Sequence, residues 1–181
     1  MNSRERWSRT LSIVGSAFML VGAIDPMEGS LITLPGSGLA ALGAFIGHRD
    51  KSHVAYKIWV FVLIAFGVGA LWGSSMVGGF GGESGHSMWW GVLIAPYLVG
   101  WSMGMWGPAT PRWVPVGGIV ISLWYLVIPV LVLVQARSGS QRPAIPAVLI
   151  AIGVCALLTI AGCIFRLHQP VTEQAPGDSP D

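Results

Sequence analysis

The sequence predicts an all-α fold, a polytopic transmembrane bundle of six helices with the N-terminus and C-terminus both cytoplasmic. Three observations lead there. Of 181 residues, 53% are hydrophobic and only 10% are charged, whereas a soluble domain clothes its surface with about 25% charged residues. The apolar residues fall in long unbroken runs and not in periodic stripes, which suits a solvent of lipid tails. Lysine and arginine are also unevenly shared among the segments between those runs.

A crossing of the hydrocarbon core takes about 20 mostly apolar residues. Four runs meet this plainly: Ile58 to Val77, Met88 to Trp106, Val114 to Val134 and Ala144 to Phe165. None contains Asp, Glu, Lys, Arg or His. They place helices over about 57–77, 88–106, 114–135 and 144–166. The first fifty residues hold two shorter runs, Leu11 to Ile24 and Leu31 to Gly47, parted only by Asp25-Pro26-Met27-Glu28-Gly29-Ser30. Trp7 to Arg9 extends the first into the interface, where an indole and a snorkelling arginine are well solvated. Proline presets φ, glycine admits φ > 0 and Ser30 can cap the second helix, so the segment reads as a tight helical hairpin, 8–24 and 31–47. A competing reading takes Arg4, Arg6, Arg9, the apolar stretch and the small residues near Ala23 as a secretory signal, leaving five helices. The second run begins too soon after such a cut for a usual mature terminus. Residues 1–167 thus form the transmembrane domain, and 168–181, rich in Pro, Gln, Glu and Asp, a disordered cytoplasmic tail.

Orientation comes from the cations. Arg4, Arg6, Arg9, Arg49, Lys51, Lys57, Arg112 and Arg166 fall in inside segments, and only Arg137 and Arg142 in outside ones. Eight against two is a positive-inside bias, and it predicts a multi-pass protein of the plasma (inner) membrane. Trp7, Trp59, Trp106 and Trp113 lie near predicted inner ends, and Trp72, Trp89 and Trp90 near outer ones, as an aromatic belt requires.

Helices in lipid associate by close backbone approach, because lipid tails are as apolar as leucine. Gly15 and Gly22 share one face of the first helix, and Gly36, Ala40, Gly43 and Gly47 one face of the second. Gly69/Gly73 and Gly100/Gly104 are small-xxx-small pairs in the third and fourth. The match between Gly15-Ser16…Gly22-Ala23 and Gly36-Ser37…Gly43-Ala44 reads as two facing helices with small residues at heptad spacing, with a remnant of internal duplication as the alternative. Pro96 and Pro129 are expected to kink their helices, with Tyr97, Ser102, Ser122, Tyr125 and Thr159 available to the carbonyls so freed.

The centres of the predicted spans carry no ionisable residue, which argues against a proton-coupled carrier, a retinal protein and a voltage sensor. His48, His53, His86 and His168 all lie in loops or at ends, which disfavours haem held between helices. No nucleophile elbow, phosphate loop or zinc motif is present, and no basic block suits nucleic acid. No cofactor is expected. Cys155 and Cys163, eight helical residues or about 12 Å apart, are too distant for a disulfide. The candidate sets are two. Trp101, Trp124 and Tyr125, with Pro129, could line an apolar pocket for a lipid, quinone or isoprenoid; the plainer reading is gap-filling between kinked helices. Asp25, Glu28, Glu83 and His86 could hold a metal or a quinol headgroup on the outer face, against the plainer reading of a turn and a soluble Gly-rich loop. The leading expectation is a non-catalytic membrane module or accessory subunit of a membrane complex, leaning away from an enzyme. Its partners are the lipid bilayer and other membrane subunits, or a second copy joined through glycine faces. A carrier or channel for a neutral or apolar solute, and an outer-face quinone or metal site, are the alternatives.

Overall fold

The computed structural model describes residues 3–25, 28–47, 50–79, 88–108, 110–136 and 145–169, side chains at 88–90, 128–136 and 145–149 excepted. Among these residues there are six α-helices and no strand. They are α1 (Ser3–Gly22), α2 (Ser30–Gly47), α3 (Lys51–Met76), α4 (Ala95–Trp106), α5 (Trp113–Ala136) and α6 (Ile145–His168), with a 3₁₀ segment, Met88–Ile94, leading into α4. Three stretches are long and apolar enough to cross a membrane, namely Ser30–Gly47, Lys51–Met76 and Ile150–His168. The first turns of α1 carry Arg4, Glu5, Arg6 and Arg9, which lowers its mean hydropathy.

Polarity is distributed inversely to that of a soluble bundle. Large apolar side chains such as Phe18, Phe45, Trp59, Phe66, Leu123 and Phe165 face outward, while Ser16, Ser30, Thr33, Ser37, Ser122 and Thr159 are buried. Such a surface is stable in lipid and would aggregate in water. The described residues are those of an all-helical membrane protein.

α1 and α2 form the closest pair. A Cβ on Gly15 would lie 2.5 Å from the Gly36 carbonyl oxygen and 2.6 Å from the Ala40 nitrogen, and one on Gly43 would lie 2.8 Å from Ser12 Oγ. The glycine faces read from the sequence on these two helices are therefore backbone contacts. Gly100 packs its α-carbon against Leu63 and Ile64 of α3, and Gly104 against Met19 and Val60. The Gly69/Gly73 pair behaves differently: among the described residues nothing lies within 4 Å of a Cβ at either position.

α3 packs on α2 and α4; α4 also meets α6, which pairs with α5. The core lies between them and is built on Met19, Ala23, Val60, Ile64, Val68, Tyr97, Trp101, Met105, Val114 and Cys163. Asp50 caps α3, its carboxylate accepting the Ser52 N–H at 2.9 Å. α3 ends where Gly78 takes φ +92° and the Gly79 N–H returns to the Ser74 carbonyl at 2.8 Å, a left-handed close open to glycine without a Cβ penalty.

Two local expectations change. Pro96 stands in the first turn of α4, after the 3₁₀ segment. There its missing N–H costs no helical bond, so it starts a helix and does not kink the middle of one. α3 begins at Lys51, not near 57, because the Asp50 cap lets the polar turn Lys51-Ser52-His53 join the helix.

Candidate functional site

The hairpin joining α1 to α2 poses a hydrogen-bonding problem. The last carbonyls of any helix lack intrahelical partners, and at the end of α1 Met19, Gly22 and Ala23 are buried. The chain leaves α1 through 3₁₀-type bonds, Ala23 N–H to Leu20 O and Ile24 N–H to Val21 O, each 3.2 Å. Two side chains distant in sequence meet two further carbonyls, one in the last turn of α1 and one just past its end. The Trp101 indole N–H donates to the Met19 carbonyl at 3.1 Å, and the Tyr125 hydroxyl donates to the Ala23 carbonyl at 2.6 Å. Beside them, Trp72 Nε1–H donates to Ser30 Oγ at 3.0 Å. The Tyr97 hydroxyl makes a long 3.5 Å contact to Thr33 Oγ1, which itself donates to the Gly29 carbonyl at 3.0 Å. Aromatic residues of α3, α4 and α5 thus clasp one hairpin.

This places the first candidate set. Trp101 is buried in the core with its polar edge engaged. Tyr125 reaches the same hairpin from α5, whereas Trp124, its neighbour, is 60% exposed and faces away. The structure brings Trp101 and Tyr125 to one carbonyl cluster and leaves Trp124 outside it. Tyr97 and Tyr125 bond to the hairpin, and Ser102 and Thr159 to each other at 2.5 Å. The Thr159 hydroxyl donates to the Cys155 carbonyl of its own helix. None of these bonds reaches the carbonyl four residues before Pro96, the partner expected from the sequence. Ser122 Oγ is buried without a hydrogen-bond partner among the described residues.

The second set divides. Asp25 and Glu28 are both exposed in the hairpin, where Asp25 Oδ1 accepts the Glu28 N–H at 3.3 Å and the Asp25 carbonyl accepts the Gly29 N–H at 2.9 Å. This is turn chemistry. Glu83 and His86 lie outside the described residues, as do the loop around them and the tail from 170 onward. Among the described residues no group of three or more His, Cys, Asp or Glu side chains is arranged to hold a metal ion.

A third feature lies at the opposite end, where α1 begins, and sequence reasoning did not single it out. Lys57 is 8% exposed, although the sequence places it among the inside cations at the start of the helix expected over 57–77. Its ammonium donates to Thr110 Oγ1 at 3.0 Å, and Thr110, in the turn between α4 and α5, makes a long 3.5 Å contact to the Gly104 carbonyl. A lysine under the C-terminus of α4 also complements that helix's dipole. Thr110 in turn lines a cleft of about 550 Å³ between the first turns of α1 and the start of α5. Arg9 and Arg112 line it too, with Ser8, Ser12 and Trp113. Ser8 is committed, donating to the Gly43 carbonyl at 2.7 Å. The signal available in the sequence was Lys57 standing one residue before an uninterrupted apolar run, which puts it at the rim of a span.

Comparisons of the chain with protein-family models, with curated proteins and with solved structures find no match.

Proposed function

We propose that the chain is a six-span protein of the plasma (inner) membrane, both termini cytoplasmic, acting as a non-catalytic module that docks against another membrane subunit. Helix length supports the six spans. At about 1.5 Å per residue the 24 residues of α5 reach about 36 Å. The 3₁₀ segment rises about 2.0 Å per residue, so it and α4 together cover about 32 Å, enough for a core of about 30 Å.

The observation that carries the docking role is the open pair Gly69 and Gly73 on α3. The glycines of α1 and α2 and the Gly100/Gly104 pair are used within the chain, whereas these two meet nothing among the described residues. A bare small-xxx-small face beside the exposed ring of Phe66 lets another helix approach closely. The interior polar groups support a structural role as well, since Trp101, Tyr125, Tyr56 and Trp72 spend their donors on other helices.

The test is gentle extraction from the native membrane followed by native mass spectrometry, comparing wild type with Gly69→Leu/Gly73→Leu. A stoichiometric protein partner present with wild type and lost from the variant is the expected outcome. A lone monomer in both preparations would end this reading.

A further inference from the structure

The cleft beside Arg9 and Arg112 carries an inference of its own. Two guanidiniums against one carboxylate, Glu5, leave its lining at a formal +1, and Lys57 beneath Thr110 raises the local charge to +2. Among the described residues neither guanidinium makes an ion pair, the only one being His53 with Asp50. The lysine is less satisfied still. An ammonium has three donors, and Thr110 Oγ1 is the one acceptor it finds among the described residues. A buried cation held by a single neutral hydroxyl is costly unless an anion stands near. Arg166, in the last turn of α6, adds another positive charge that acts on Lys57.

The walls say which anion. Their lining is polar at Ser12, Thr110 and the two arginines and apolar at Ile13, Pro111 and Trp113. Ile13 and Trp113 are 37% and 43% exposed, so the apolar wall is open. A free inorganic ion gains nothing from such a wall, whereas a glycerol backbone and the first methylenes of an acyl chain do. Trp113, at the start of α5, suits the headgroup level of a bilayer. Arginine forks match phosphate oxygens two at a time.

We propose that this cleft binds the phosphate headgroup of an anionic phospholipid, with Arg9 and Arg112 as its ligands and Lys57 supplying charge from below through Thr110. The proposal rests on the reading of this end as a membrane–water boundary. The test places the full chain in nanodiscs of phosphatidylcholine, with and without phosphatidylglycerol, and counts retained lipid by native mass spectrometry. Wild type retains phosphatidylglycerol, and Arg9→Gln/Arg112→Gln retains it about tenfold less. Arg4→Gln/Arg6→Gln makes the same charge change on the same helix end outside the cleft, and keeps it. Equal loss in both variants, or undiminished retention in the first, would overturn the site. If millimolar inorganic phosphate displaces the lipid and protects the protein equally against heat, the site is one for free phosphate and the lipid assignment falls. Should the double variant fail to fold, each single variant is expected to weaken retention about threefold, and an unchanged value in both sinks the idea. Both leaflets of a nanodisc hold the same lipid, so retention does not depend on which end is cytoplasmic. Failure here would therefore leave the topology and docking reading standing, and a lone monomer or an inverted orientation would leave the cleft intact.

Discussion

Trp101, Tyr125 and Trp124 are alike as letters and unlike in place, which makes them the sharpest residue-level test. Trp101→Phe keeps most of the ring and removes the donor to the Met19 carbonyl, so a buried acceptor loses its partner. The expected loss is about 1 kcal/mol, the usual scale for an interhelical bond in a membrane protein, read as a lower thermal midpoint in detergent. Tyr125→Phe should cost a similar amount. Trp124→Ala, on the outer surface, should stay within about 0.5 kcal/mol. If Trp124→Ala proved the most damaging of the three, the assignment of the indole and phenol as hairpin clasps would be wrong. Ser122 gives the opposite sign. Its hydroxyl is buried without a partner among the described residues, and Ser122→Ala removes a desolvated group, so stability should be unchanged or raised by up to about 1 kcal/mol.

Glycine separates helix faces that are closed within the chain from faces that are open, such as the Gly69/Gly73 face of α3. On α2, a Cβ at Gly36 would sit 2.7 Å from Phe18 Cβ and 2.9 Å from the Gly15 carbonyl oxygen. Backbone cannot step aside as a flexible side chain does, so Gly36→Val should cost about 2 kcal/mol or more and loosen the α1–α2 pair. On α3, Gly73→Ala meets open space and should leave the isolated chain's unfolding transition within about 0.5 kcal/mol of wild type. Comparing the two by thermal unfolding in the same detergent checks the contrast. In sequence both glycines sit in small-residue patterns of apolar helices, and spacing alone cannot tell them apart. Which face is occupied depends on where the neighbouring helix lies, a property of the assembled bundle.

For the whole molecule, the six-span topology makes a geometric prediction. In a chain stripped of Cys155 and Cys163, an impermeant thiol reagent should reach Arg4→Cys and His168→Cys from the cytoplasmic side. Met76→Cys, 82% exposed in the wild-type side chain, should label from the other face. Labelling of all three from one side would exclude six alternating spans. The clasped hairpin end and the cationic cleft end also divide the polar chemistry. One end spends its donors on backbone carbonyls, and the other holds Arg9, Arg112 and Lys57 with charge uncompensated by ion pairs among the described residues.

Composition and run length determined by themselves that the chain is helical and that it belongs in a membrane, because the solvent acts on every residue and leaves its mark in every segment. The tight hairpin at Asp25 to Ser30 and the glycine contact of α1 with α2 were legible too, since that turn is local and its two helices adjoin in sequence. The tertiary structure alone decided the rest. It took Trp101 and Tyr125 to the carbonyls at and just past the end of α1, left Trp124 facing outward, moved Pro96 to a helix start, and buried Lys57 beneath Thr110. Each outcome depends on a partner between 53 and 102 residues away, or on the pitch of the segment before it. Hydrogen-bond satisfaction in a low-dielectric interior is met pair by pair, and the pairs exist only once the helices have packed.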